Sequence, residues 1–204
     1  MDSNNNFNSD TYKYIFSVDF YNAVHPISNE LKKFIRNRTR SMFLRKGDFV
    51  NKIGETCDKL MIIQKGMVRG FFEHGKREIT TWVSYDTEMF TSISGYFKNE
   101  PAHENIQCIE DTTIEYLTYQ DLHYCLKYYS EAKDLNRFLM EEYYMSAERR
   151  AFIARIPLAQ ARYDFYVQNT PLELLKRIPK KYLASLLNMQ PETLARIRTK
   201  KPKN

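Results

Sequence analysis

The sequence predicts an α+β chain: a jelly-roll-like β-roll, then one long helix, then a helical C-terminal end. Three observations carry this reading. All six glycines lie between Gly47 and Gly95, so tight turns crowd one half of the chain. Short apolar segments separate those glycines in the manner of strands. Residues 131–156 then run for 26 positions without glycine or proline, with Leu135, Phe138, Leu139, Tyr143, Ile153 and Ile156 at helical spacing. With 204 residues, 43% of them hydrophobic, the chain can build a sizeable core.

Taken in order, the Asn-rich first ten residues predict a mobile start. Residues 26–38 read as a helix, with Ser28 as its cap and Leu31, Phe34 and Ile35 on one face. Strands follow at residues 60–63, 67–72 and 79–83, with His74-Gly75 where a hairpin reverses, and again at 106–109 and 113–117 around Glu110-Asp111. Residues 119–129 read as helix. The helix over 131–156 spans about 39 Å at 1.5 Å per residue, more than a small roll covers, so part of its apolar face is expected to pair with a symmetry mate. The division expected is 1–130 for the roll, 131–156 for a dimerisation helix and 157–204 for a C-terminal domain.

The C-terminal end carries the most chemistry. Residues 180–187 form a short helix with Leu183, Leu186 and Leu187 on one face and the small Ala184 where a second helix can approach. Asn188 occupies a turn that needs a left-handed backbone. Pro191 opens a second helix, with Leu194 and Ile197 inward and Glu192, Thr193, Arg196 and Thr199 outward or flanking. A turn of about three residues between two such helices predicts a helix-turn-helix. Its DNA-contacting candidates are Lys180, Lys181, Gln190, Glu192, Thr193, Arg196, Arg198 and Lys200. Arg pairs with guanine, Glu accepts from cytosine, and lysines meet phosphates. Charge agrees: residues 171–204 hold nine Lys and Arg against two Glu, a net of +7 in a chain whose total is +6. A double-stranded DNA partner is expected.

Other classes are disfavoured. No apolar run approaches the roughly 20 residues that span a bilayer, and the N-terminus lacks a signal-peptide pattern, so a cytoplasmic protein without a membrane partner is expected. Three widely spaced cysteines, Cys57, Cys108 and Cys125, argue against a disulfide framework or a CxxC metal site. The histidines at 25, 74, 103 and 123 form no H-x-H pair, which disfavours a cupin-like metalloenzyme. No catalytic residue, metal or cofactor is expected. A ligand-binding adaptor with protein partners is the alternative, and it explains the charge segregation less well.

Arg45-Lys46-Gly47-Asp48, Gly54-Glu55, residues 60–63, Lys65-Gly66, Val68-Arg69-Gly70, residues 184–187 and residues 191–198 together resemble the bacterial Crp/Fnr regulators. That resemblance implies a cyclic-nucleotide-binding-type roll acting as a sensor, a homodimer on an inverted-repeat operator, a small-molecule effector and RNA polymerase as a partner. It places Lys180 and Lys181 on phosphates and Glu192 and Arg196 at base edges. Pro191 stands where relatives carry a basic residue, and the short stretch after Ile197 predicts no C-terminal wing. By the same alignment, Ser92-Ile93 and His103-Glu104 replace the Gly-Glu pair and the Arg of the phosphate cassette. These four are the effector-pocket candidates. The neutral imidazole of His103 replaces the guanidinium and Glu104 brings a carboxylate near the phosphate, so the main attraction is lost, a repulsion is gained, and cyclic AMP is not the expected effector. Nor does the N-terminus carry the clustered cysteines of the family's iron–sulfur sensors.

Overall fold

The computed structural model describes residues 15–199. The Asn-rich start, Lys200 and the place where a wing would follow lie outside them. Two helices, α1 (Phe16–Val24) and α2 (Asn29–Arg38), precede eight strands: β1 (Arg40–Leu44), β2 (Phe49–Asn51), β3 (Lys59–Lys65), β4 (Met67–His74), β5 (Arg77–Tyr85), β6 (Met89–Phe90), β7 (Asn105–Cys108) and β8 (Thr112–Thr118). Helix α3 (Ile93–Lys98) interrupts them after β6. Then come α4 (Tyr119–Tyr128), α5 (Ser130–Arg155), α6 (Ala159–Gln168), α7 (Leu172–Arg177), α8 (Lys180–Leu186) and α9 (Pro191–Thr199).

The strands form two four-stranded antiparallel sheets, ordered β1-β8-β3-β6 and β2-β7-β4-β5. Met61, Ile63 and Ile114 from one and Val68, Ile106 and Cys108 from the other make a shared core, each at most 1% exposed. Local chemistry explains the helix starts that were legible. The Ser28 side chain accepts from the Leu31 amide at 3.2 Å, and Thr118 caps α4 in the same way through Asp121. Helix α1 has no such local cap; its first amides, Phe16 and Ser17, donate instead to the buried Glu115 carboxylate on β8, at 2.9 and 2.8 Å.

Helix α5 matches the long helix predicted, but its apolar side chains divide between several partners. Leu135 joins α1, α2 and α4 in one cluster. Ile153 packs with Met67 and Ile109 of the roll and with Leu174, Ile178, Leu183, Leu187 and Leu194 of the C-terminal helices. The C-terminal helices therefore share a core with the roll. Each leucine buried there contributes roughly 1.5–3 kcal/mol. Phe138, Met145 and Phe152 remain 43%, 52% and 56% exposed, at seven-residue intervals along one stripe. These three, with Tyr144 at 68% exposure, form the exposed apolar surface of α5, whereas Ile153 is covered within the chain.

Candidate nucleic-acid face and effector cavity

Helices α8 and α9 meet through a turn of the predicted geometry. Asn188 adopts φ +48°, and its amide and that of Met189 donate to Ser185 and Ala184. Leu183, Ala184, Leu187 and Leu194 are essentially inaccessible, and Ile197 is 8% exposed. Leu186, expected beside Leu183 and Leu187, is half-buried and faces a cleft against β5. With its inward stripe anchored, α9 presents Glu192, Arg196 and Arg198 to solvent and Thr193 half-buried. The Arg196 guanidinium lies beside Thr193, donating to its hydroxyl at 3.4 Å. Arg198, two residues on, lies on a different flank from Arg196. Gln190, Lys180 and Lys181 are exposed, and the Lys181 ammonium sits 4.6 Å from the Tyr182 ring.

Two arginines that sequence reasoning did not single out hold this pair in place. Arg162 of α6 is 9% exposed and donates to four carbonyls: Ile156 and Pro157 after α5, and Leu187 and Asn188 after α8. These carbonyls have no intrahelical partner, and a buried guanidinium supplies donors in a rigid fork. Arg177 of α7 reaches the roll, where it pairs with Asp86 and with Glu110 at 2.7 Å and donates to the Gly66 carbonyl. Burial works against the Asp86 carboxylate, but the Arg177 guanidinium and the Gly66 amide outweigh it and hold its pKa below the usual range. A third tie joins α8 to β5: the Thr80 amide donates to the Ser185 hydroxyl at 2.9 Å, which donates to the Glu78 carbonyl.

A cavity of about 530 Å³ opens between the roll and α5. Its walls come from α1, β3, β5, β6, α3 and α5, and they are mostly apolar and aromatic. Trp82 is its centrepiece. The indole lies across Gly70 on the neighbouring strand, where an added Cβ would land inside the ring, and its Nε1 donates to Glu104 at 3.0 Å. Burial raises the Glu104 pKa despite the bonds from Trp82 and Thr81. Burial also pushes Glu88 from the ordinary 4.5 up to about 7, against bonds from Ser84 and Tyr85 and the charge of Arg150. Arg150 is the one cation among the described residues lining this cavity.

The sequence profile of the cyclic nucleotide-binding domain matches residues 41–129, the span from β1 to the end of α4. No curated protein matches the full sequence significantly. Among solved structures, FixK2 from Bradyrhizobium japonicum has a TM-score of 0.65 at 14% identity, covering 79% of this chain and 83% of that one. A putative transcriptional regulator of the Crp/Fnr family from Eubacterium rectale has a TM-score of 0.65 at 17% identity, covering 88% and 85%. The c-di-GMP-responsive global regulator CLP from Xanthomonas campestris has a TM-score of 0.66 at 12% identity, covering 83% and 89%. The chain thus has the Crp/Fnr fold, with the cyclic nucleotide-binding domain ahead of C-terminal helices. Among the described residues, no helix is long and apolar enough to cross a membrane.

Within the matched residues, one of the four effector-pocket candidates lines the cavity. Ile93 lines the cavity at its rim. Ser92 is buried at the start of α3 with its hydroxyl unpartnered, and His103 is exposed. Glu104 meets the cavity through Trp82 rather than by lining it. The sequence alignment missed Trp82, Glu88, Tyr143 and Arg150. Only Trp82, as the single tryptophan of the chain, offered any signal.

Proposed function

We propose that this chain is a dimeric, DNA-binding transcription regulator whose α8–turn–α9 unit is a helix-turn-helix, with α9 in the major groove. The exposed polar face of α9, opposite a fully buried Leu194, carries the reading. Glu192 and Arg196 lie one turn apart on it and set base preference, with Thr193 and Gln190 beside them. Lys180, Lys181 and Arg198 meet phosphates, and Lys200 adds charge where the described residues end. The 1–130 sensor, the 131–156 helix and the 157–204 reading domain then divide the work, in the cytoplasm and without enzymatic chemistry. Two chains pair through the Phe138, Met145 and Phe152 stripe, so the operator is an inverted repeat with half-site centres about 34 Å apart. The cavity beside Trp82 is the effector site. With Glu88 and Glu104 beside it and one arginine, it does not suit cyclic AMP.

Binding selection against random duplexes tests the reading. Arg196→Ala should cost about 1–3 kcal/mol on the preferred site and blur one base pair in each half-site. Lys181→Ala should weaken all sequences alike and reduce the salt slope by about one for each phosphate it ceases to neutralise. Full discrimination retained by a folded Arg196→Ala protein would remove α9 as the reading element.

A further inference from the structure

We propose that the cavity between the roll and α5 binds an uncharged, predominantly apolar small molecule, in place of an anionic nucleotide. This rests on reading that cavity as the effector site and adds the chemistry of what enters it. A volume of about 530 Å³ lies within the usual range for small-molecule sites. Leu60, Trp82, Phe90, Ile93 and Leu139 supply apolar wall from five separate segments, and the Trp82 and Phe90 rings lie 6.1 Å apart. Such walls reward removal of apolar surface from water and offer few partners to a hydrated charge.

The polar groups decide the sign of the ligand. Arg150 comes from α5 and lies over the Tyr143 ring, 5.9 Å from its centre. Three acids oppose it: Glu88 and Glu142 line the cavity, and Glu104 sits behind the Trp82 indole. The Arg150 charge favours ionisation of both Glu88 and Glu104, the opposite of what their burial does. An added anion would meet one guanidinium and three acids in a poorly solvated space. An added cation would meet the same acids but also Arg150. A neutral molecule meets neither penalty, and Glu88, whose pKa burial pushes up to about 7, can donate a hydrogen bond to it when protonated.

The test uses two probes that share one scaffold, neutral N-phenyl-1-naphthylamine and its anionic counterpart 8-anilino-1-naphthalenesulfonate. Full-length protein is titrated with each, and energy transfer from Trp82, the single tryptophan, reports whether the probe lies beside it. The neutral probe should bind at least tenfold more tightly than the sulfonate, even though the protein carries net positive charge. Leu139→Trp, which fills the cavity, and Ile93→Trp, at the half-exposed rim, each add a second indole and are therefore read by directly excited probe emission; each should weaken the neutral probe at least tenfold. Glu88→Gln should narrow the gap by strengthening sulfonate binding several-fold. Equal or tighter sulfonate binding, no binding of the neutral probe, or binding that neither tryptophan variant weakens would overturn the proposal. The same preparations are assayed on duplex DNA across a salt series. Probe failure with salt-sensitive DNA binding intact sinks the ligand class alone, and the reverse outcome sinks the regulator reading alone.

Discussion

Glu88 makes a sharp prediction because its environment opposes its charge. In the unfolded chain its carboxyl ionises near the ordinary 4.5, whereas burial between β5 and β6 raises it to about 7 in the folded protein. Below about pH 4.5 the group is protonated in both states and costs nothing. As pH rises towards 7 the unfolded state ionises first, so folding loses stability, and above 7 the loss is complete and constant. At about 1.36 kcal/mol per pH unit the full penalty approaches ~3 kcal/mol. Glu88 is only half-buried, and Gln forfeits the attraction to Arg150, so about 1–2 kcal/mol is the expected gain for Glu88→Gln. Glutamine keeps the size and still accepts from the Tyr85 amide. Urea unfolding of both proteins from about pH 4.5 to 8, read by Trp82 fluorescence, should show equal stability at the acid end and a variant that is more stable at the alkaline end. A stability difference that stayed flat across this range would show that Glu88 is solvated like any surface carboxylate, and the cavity electrostatics would be wrong.

Arg162→Met should leave carbonyls at the ends of α5 and α8 without donors and cost about 3 kcal/mol, lowering the thermal midpoint and abolishing DNA binding before the roll unfolds. Gly70→Ala should expel the Trp82 indole, cost about 1–3 kcal/mol and red-shift the protein's tryptophan emission as the Glu104 bond breaks. Met145→Glu with Phe152→Glu should convert a dimer into monomers of 24.4 kDa in light scattering, with circular dichroism unchanged, because both side chains are more than half exposed in the single chain.

Features set by near neighbours in the chain were legible without the structure. The glycine-punctuated strands, the Ser28 cap, the left-handed Asn188 and the Leu194–Ile197 stripe each follow from a residue's own conformational preference or from a period of a few positions. What escaped were elements with no local signal. Helix α1 is capped by Glu115, a residue 98 positions beyond Ser17, and α6 and α7 start without any side-chain cap. The lining of the proposed effector cavity escaped for the same reason. A linear alignment put Ser92, Ile93, His103 and Glu104 together, but the cavity draws its wall from segments scattered between Phe20 and Arg150. Whether a side chain faces it depends on sheet register: Trp82 turns inward because it pairs with Gly70, and His103 lies out in solvent. Charge shows the same division. Composition alone placed a net +7 on the last 34 residues, but Arg177 in that stretch is spent on Asp86 and Glu110 of the roll. A sequence counts a guanidinium as free charge; only tertiary structure decides whether a carboxylate from a distant turn has already neutralised it.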